Sequence, residues 1–551
     1  MMNHFYPLFK IDALNGFVAL AIILFSVLTV VYSSGFMSQR RGLIKYYVCI
    51  VLTAIASIGA VLSNNFIFLL VFWGFLGFTL YLLVNMGENA AMIAKKSFII
   101  VGGSDALMIL GIGIIYYLTG TMQMDNVRLG FTSGLTYLAY LCIAIGSFAK
   151  AGAMPFHSWI PECAEKAPLP VAAYLLASLD KLLGIYLLAR ASLNLFIMND
   201  GLNIFLMLIG AFTIVAAAMM ALVQGNVKKL LGYSTVSQVG YMVLGIGTGN
   251  PVGIAGGIFH MFNHATYKSC QFFASGNVEY RTRTSQLNEL GGLAKAMPLT
   301  YISALIASLS ISGVPPFNGF VSKWMVYQGL IEQLQVNNYG LRIITVLCLS
   351  AAMFGSGLTL AVFMKFIHAT FLGQQSNKIT GQEKTEVSWK MWLPCLVLAV
   401  ICVVFGVFAY QVPLKYIIFP AVKGVTFIGT WYAGLSTLLI IIGLVLGIFI
   451  FKLKAIKPVL RDDGVFVGGE TSGLKDLPVT GAEFYNTVED FGILRSIYKK
   501  AESGIFDIYE QGKFIVFGIG KFLQYLHNGV MSTYLVWVLL GMMGLFFVLA
   551  R

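Results

Sequence analysis

The sequence predicts an all-α polytopic membrane protein of about 14 transmembrane helices, with an amphipathic segment before the last span. Three observations carry that prediction. Of the 551 residues, 58% are hydrophobic and only 11% charged, against about 25% charged in a soluble domain. Many apolar runs reach the roughly 20 residues that cross a bilayer as a helix. These runs are continuous rather than alternating, which excludes a transmembrane β-barrel. The net charge of +13 would suggest nucleic acid in a soluble protein. Here the basic residues fall in short loops between apolar runs, so they read as a topology signal, and no nucleic-acid partner is expected.

Taken in order, the first span covers 13–33. The residues before it, MMNHFYPLFKID, lack the basic-then-apolar layout of a cleaved signal peptide. The next spans fall at 46–63, 66–86, 97–118, 134–152, 169–190, 202–223, 229–248, 253–277, 298–320, 341–371, 391–411, 430–452 and 531–550. Alternate loops carry Arg40, Arg41 and Lys45; Lys95 and Lys96; Lys166; Lys228 and Lys229; Arg281 and Arg283; Lys378 and Lys384; and Lys452, Lys454, Lys457 and Arg461. All lie on one side if the N-terminus is outside, which places them in the cytoplasm. The expected site is the inner membrane of a prokaryotic cell. Residues 1–452 read as a channel domain, 453–530 as a polar segment with a surface helix, and 531–551 as a terminal anchor. From 484 to 528 charges mix with apolar residues, as on a helix lying in the membrane surface. Gly504, Gly512, Gly518 and Gly520 predict interruptions in it.

Charges at bilayer depth are costly, so each is a candidate ion or proton site. Lys150 lies in the last turns of its span, before a proline-rich loop. Snorkelling to the interface competes with a proton-carrying role. Asp105 reads as a helix-end hydrogen-bonding group or as the carboxylate partner of a buried lysine. Asp180 and Lys181 are adjacent and diverge by about 100° on a helix, so each needs its own partner or a hydrated cavity. His260, His264 and Lys268 share one stripe of one span. A metal is disfavoured there, because HExxH is absent and a lysine on the stripe repels a cation. Lys365 and His368 lie late in their span, with snorkelling the competing reading. Lys323 follows the double proline Pro315–Pro316, as a structural lysine or as part of the path. The seven cysteines form no CxxC and read as packing residues. No P-loop, dinucleotide fingerprint or nucleophile–base set is present, so an autonomous enzyme is not the expectation.

Five motifs stand in order: Lys96-Ser97-Phe98 with Asp105, AKAGAMPFHSWIPECAEKAPLPVAA, NVKKLLGYSTVSQVGYM, HMFNHATYKSCQFFASG and SGVPPFNGFVSK. Together they resemble the antiporter-like subunits shared by respiratory complex I, membrane-bound energy-converting hydrogenases and Mrp-type sodium/proton antiporters, most closely the large complex I L-subunit type. The resemblance implies a proton- or cation-translocating subunit without its own cofactor, inside a larger complex. Iron–sulfur clusters, and nickel in the hydrogenase case, are expected in a peripheral redox arm. Other membrane-arm and antiporter-like subunits are the expected neighbours in the bilayer. The alternatives are the membrane subunit of an inorganic-carbon uptake complex and an Mrp-like antiporter subunit. By position, Lys150 resembles the family's central lysine and Lys181 that of the next helix. His260, His264 and Lys268 resemble its polar axis, with Lys365 toward an exit. Two departures stand out. IDALNGF resembles the family's third helix, so two preceding helices are expected either to be missing or to belong to another subunit. The family's Trp-Glu reads Trp73-Gly74 here, and Asp105 is the expected substitute for the missing glutamate.

Overall fold

The computed structural model describes residues 8–336, 338–374, 385–427, 433–452, 485–489 and 491–550. The polar segment 453–484, with Lys454, Lys457 and Arg461, and the loop lysines Lys378 and Lys384 lie outside the described residues. The described residues form helices and no strand longer than isolated bridges. Each of the fourteen expected spans overlaps at least one helix among the described residues.

The first four helices are α1 (Ala13–Phe36), α2 (Leu43–Leu62), α3 (Phe66–Val84) and α4 (Ala91–Thr119). They turn apolar side chains such as Leu20, Ile55, Phe75 and Ile109 outward, as a lipid-facing surface requires. Next come α5 (Gly134–Ala151), the short α6 (Trp159–Lys166) and α7 (Leu169–Leu195). Then follow α8 (Asp200–Leu222), α9 (Val227–Gly247) and α10 (Pro251–Thr282). The core lies on α7, α9 and α10, whose residues are almost wholly buried.

Among the described residues, ten helices are long and apolar enough to cross a membrane, and α9 and α10 are not among them. They carry too many polar groups, which is affordable only because neighbouring helices shield them from lipid. Asparagine caps five helices: Asn65, Asn199, Asn226, Asn250 and Asn338 each accept from backbone N–H groups of the first turn. A neutral cap satisfies these donors without placing a charge at the bilayer boundary.

The expected span 298–320 is two helices, α11 (Pro298–Ser312) and α12 (Asn318–Gln333). Gly313 takes a left-handed φ of +79°, and Pro315 and Pro316 follow it. The backbone cannot stay helical there, yet a second helix resumes beyond. The chain then forms α13 (Tyr339–Leu372), α14 (Trp389–Val407) and α15 (Ala433–Lys452). Of the basic residues expected in loops, Lys45 sits in the first turn of α2, Lys95 and Lys96 in the second turn of α4, Lys166 at the end of α6, Lys228 and Lys229 in the first turn of α9, and Arg281 in the last turn of α10.

Residues from Gly492 onward form a separate compact unit of three helices: α16 (Gly492–Glu502), α17 (Ile508–Leu526) and α18 (Met531–Leu549). Gly504 interrupts the amphipathic stretch as expected, with φ +77°. Gly512, Gly518 and Gly520 do not; all three lie inside α17. Each glycine costs about 1 kcal/mol in a helix, but an unsatisfied backbone group in an apolar setting costs more.

Candidate functional site: a buried polar axis

The site begins where α5 meets α7. The close approach depends on Gly184: a Cβ there would stand 2.6 Å from Ala151 N and 2.8 Å from Ser147 O. The contact brings Lys150 of α5 to Asp180 of α7, with Nζ 3.5 Å from Oδ1 and both side chains buried. Lys150 is fully buried and does not snorkel. Its ammonium also lies over the Trp73 ring, 5.7 Å from the centroid. Trp73 Nε1 donates to Asp105 Oδ1 at 2.9 Å, and Asp105 is within electrostatic reach of Lys150.

The carboxylate at ion-pair distance from Lys150 is therefore Asp180, with Asp105 one step further out behind the indole. Gly74 is exposed, and a Cβ there would meet nothing within 4 Å. A carboxylate at that position would point away from Lys150. A Cβ at Gly77 would instead stand 3.7 Å from Asp105 Oδ2.

Asp180 and Lys181 diverge, as their adjacency requires. Lys181 Nζ lies over the Trp159 ring at 5.6 Å. That indole is held by a hydrogen bond from Nε1 to Ala149 O at 3.1 Å. Lys181 finds no hydrogen-bond partner among the described residues. The turns just before Asp180, Ala172–Leu179, are π-helical. The wider winding leaves backbone groups less regularly bonded, a feature common at functional sites.

From Lys181 the charges continue to α10. Lys181 and Lys268 both act electrostatically on His264, whose ring faces the Ala177 backbone without a well-formed hydrogen bond. Lys268 Nζ donates to Ser234 Oγ at 2.9 Å and Gln271 Oε1 at 3.1 Å, and lies 4.8 Å from the centroid of Phe363. His260 is held by Ser322 Oγ at 2.9 Å, Gln238 Oε1 at 3.2 Å and Tyr267 Oη at 3.2 Å. Gln238 Nε2 reaches on to Thr359 Oγ1 of α13 at 3.4 Å.

Lys323 carries more than its place after the double proline suggests. It is buried, donates to Ile311 O at 2.8 Å and lies 4.6 Å from the Tyr241 centroid. It acts electrostatically on His260, so it belongs to the same set of groups. Lys365 on α13 is buried and donates to Leu222 O at 3.0 Å.

The axis thus holds amines, imidazoles and carboxylates in one connected interior. Four of its amines face an aromatic ring within about 6 Å, which offsets part of the desolvation of a cation. Such groups can take and release protons in turn, each altering its neighbour's charge balance. Nearer the surface, Lys96 and Glu162 form an ion pair at 2.6 Å. All seven cysteines are buried in the helix packing.

Fold and site define a class: a multi-pass membrane protein with a buried line of ionisable groups running between its helices. Within that class the chain belongs to the family described as NADH:quinone oxidoreductase/Mrp antiporter, TM, whose model matches residues 63–354. It is 34% identical over 421 residues to the A1 subunit of the Na(+)/H(+) antiporter of Staphylococcus haemolyticus, covering 72% of this chain and 52% of that protein. It is 29% identical over 535 residues to a Na(+)/H(+) antiporter subunit of Alkalihalophilus pseudofirmus, covering 89% and 65%. The chain thus spans about half to two thirds of the length of these relatives.

Among solved structures, a chain of the membrane-bound sulfane sulfur reductase, an archaeal respiratory complex, superposes with TM-score 0.79 at 22% identity, over 98% of this chain and 89% of that one. A chain of the Mrp complex from Dietzia gives 0.68 at 20% identity, over 75% and 84%. A chain of respiratory complex I from Thermus thermophilus gives 0.65 at 19%, over 76% and 86%. These likenesses establish a common antiporter-like fold.

Proposed function

We propose that the chain is a proton- or cation-translocating subunit of a larger membrane complex. Protons move along Asp105, Lys150, Asp180, Lys181, His260, His264, Lys268 and Lys365, with Lys323 beside His260. One observation carries the reading: every lysine and histidine of this set is almost wholly buried, in a protein where an idle buried charge is costly. Charges about 4 Å apart at an effective dielectric of 20 interact by about 4 kcal/mol. A proton gained at one amine is therefore felt at the next. Asp105 serves as the outer carboxylate in place of the family's glutamate, supported by its bond to Trp73 and its reach to Lys150.

The proposed neighbours are other membrane-arm and antiporter-like subunits. A peripheral redox arm carrying iron–sulfur clusters, with nickel in the hydrogenase case, is the proposed drive. The second reading is sodium/proton exchange without electron transfer, favoured by the relatives named as Na(+)/H(+) antiporter subunits. The complex, purified by a tag on this chain and reconstituted in vesicles, tests both. Lys150→Ala is expected to abolish coupled flux while the complex stays assembled; undiminished flux removes Lys150 from the path. Iron in the purified complex favours the redox drive, and its lack together with sodium-dependent flux favours exchange.

A further inference from the structure

Lys365 is held unlike the other buried amines. Lys150, Lys181, Lys268 and Lys323 each lie over an aromatic ring. Lys365 donates to the Leu222 carbonyl, and a single carbonyl leaves a buried ammonium undercompensated. It also sits where α13 changes winding, three residues before the π-helical segment His368–Leu372.

A short stretch far along the chain docks on this part of α13. Tyr485 Oη donates to the Ala361 carbonyl at 3.2 Å. Residues Asn486–Glu489 then make one helical turn. Ala361 and Lys365 are four residues apart on α13, so they share a face. Tyr485 and Glu489 have the same spacing on the docked turn. Anchoring the first pair aligns the second, and Glu489 lies within electrostatic reach of Lys365. The helices packed on α13 include α8, α9, α11 and α12. Among the described residues, Glu489 is the titratable group with a resolved effect on this amine.

We propose that Glu489 is the counter-charge of Lys365, and that the turn at residues 485–489 is a positioning element holding the last amine of the axis in place. The pairing rests on the docking of Tyr485 at Ala361, one helical turn from Lys365, together with the charge that Glu489 exerts on that amine; its role in translocation rests on the function proposed above.

The test is a double-mutant cycle in the full complex, with Glu489→Gln, Lys365→Gln and both together, read by thermal unfolding and by ion flux in vesicles. Each single variant is expected to lower Tm, and the double variant to lower it no further than the worse single one. Glu489→Asp is expected to recover most of the loss. Tyr485→Phe, which removes the anchoring hydroxyl but keeps the ring, is expected to shrink the coupling. Additive losses, or an unchanged Tm in Glu489→Gln, overturn the pairing. Non-additive Tm with wild-type flux in Lys365→Gln upholds the pairing and removes Lys365 from the translocation path.

Discussion

Lys150 and Lys268 are buried to the same degree, yet the two halves of the axis compensate them differently. Lys150 meets a carboxylate, Asp180, at 3.5 Å. Lys268 meets a hydroxyl and an amide oxygen, and Lys323 a backbone carbonyl. If Lys150 loses its proton, Asp180 is left as an uncompensated anion, so the two groups must change together. If Lys268 loses its proton, Ser234 can turn its hydroxyl and donate in return. On the proposed function, the first half acts as a coupled switch, and the second as a line of amines that tolerates either protonation state.

The largest effect expected from this comparison is at Asp180. Asp180→Asn leaves Lys150 buried without the carboxylate at ion-pair distance, and breaking a buried pair from one side costs about 3–5 kcal/mol. A large drop in Tm, with loss of flux, is the expected result. A variant as stable as the parent would show that Lys150 and Asp180 are not a compensated pair.

Lys268→Met sharpens the contrast. It removes a buried charge whose partners are neutral, leaving one hydroxyl and one amide to find other bonds. The expected change in stability is within about 1–2 kcal/mol, of either sign, while flux is lost. A collapse as large as that of Asp180→Asn would erase the distinction between the halves.

Asp105→Asn comes next in size. An asparagine oxygen can still accept from Trp73, so the fold is kept. The charge felt by Lys150 is removed, and flux is expected to fall by on the order of tenfold. Unchanged flux would end the case for Asp105 as the substitute carboxylate.

The charges of this site were legible in the sequence because ionisable residues inside apolar runs have few bland explanations. Their partners were not. Trp73, Trp159 and Phe363 are aromatic residues in apolar helices, where packing alone accounts for them. Asp180 meets Lys150 across 30 residues of sequence, through a glycine contact at Gly184 that no periodicity reveals. The divergence of Asp180 from Lys181 followed from helix geometry alone. The π-helical turns at Ala172–Leu179 and His368–Leu372 leave no mark in composition. Residues 298–333 show the same limit in the fold: the double proline announces a break, but the polar residues beyond it mask the short helix that resumes there.

A pair at the end of a span gives the comparison its control. Asp12 caps α1, accepting from Leu14 N at 3.0 Å and Asn15 N at 2.9 Å, and its carboxylate meets Arg190 at 2.7 Å. Partial burial pushes the Asp12 carboxyl up, but the hydrogen bond from Arg190, those from the backbone and the guanidinium charge outweigh it, so the group is held below its ordinary value. A depressed carboxyl contributes stability above the unfolded value of about 3.9 and loses it as pH falls through the folded value. Thermal unfolding between neutral and acid pH is expected to show that loss in the parent and a flatter profile in Asp12→Asn, which keeps the cap but not the charge. Asp12→Ala removes both, and the cap adds about 1 kcal/mol. Both effects are smaller than that of Asp180→Asn, because water reaches Asp12 and screens what Asp180 must bear unscreened. Equal losses at the two aspartates would mean that burial does not set the cost of these pairs.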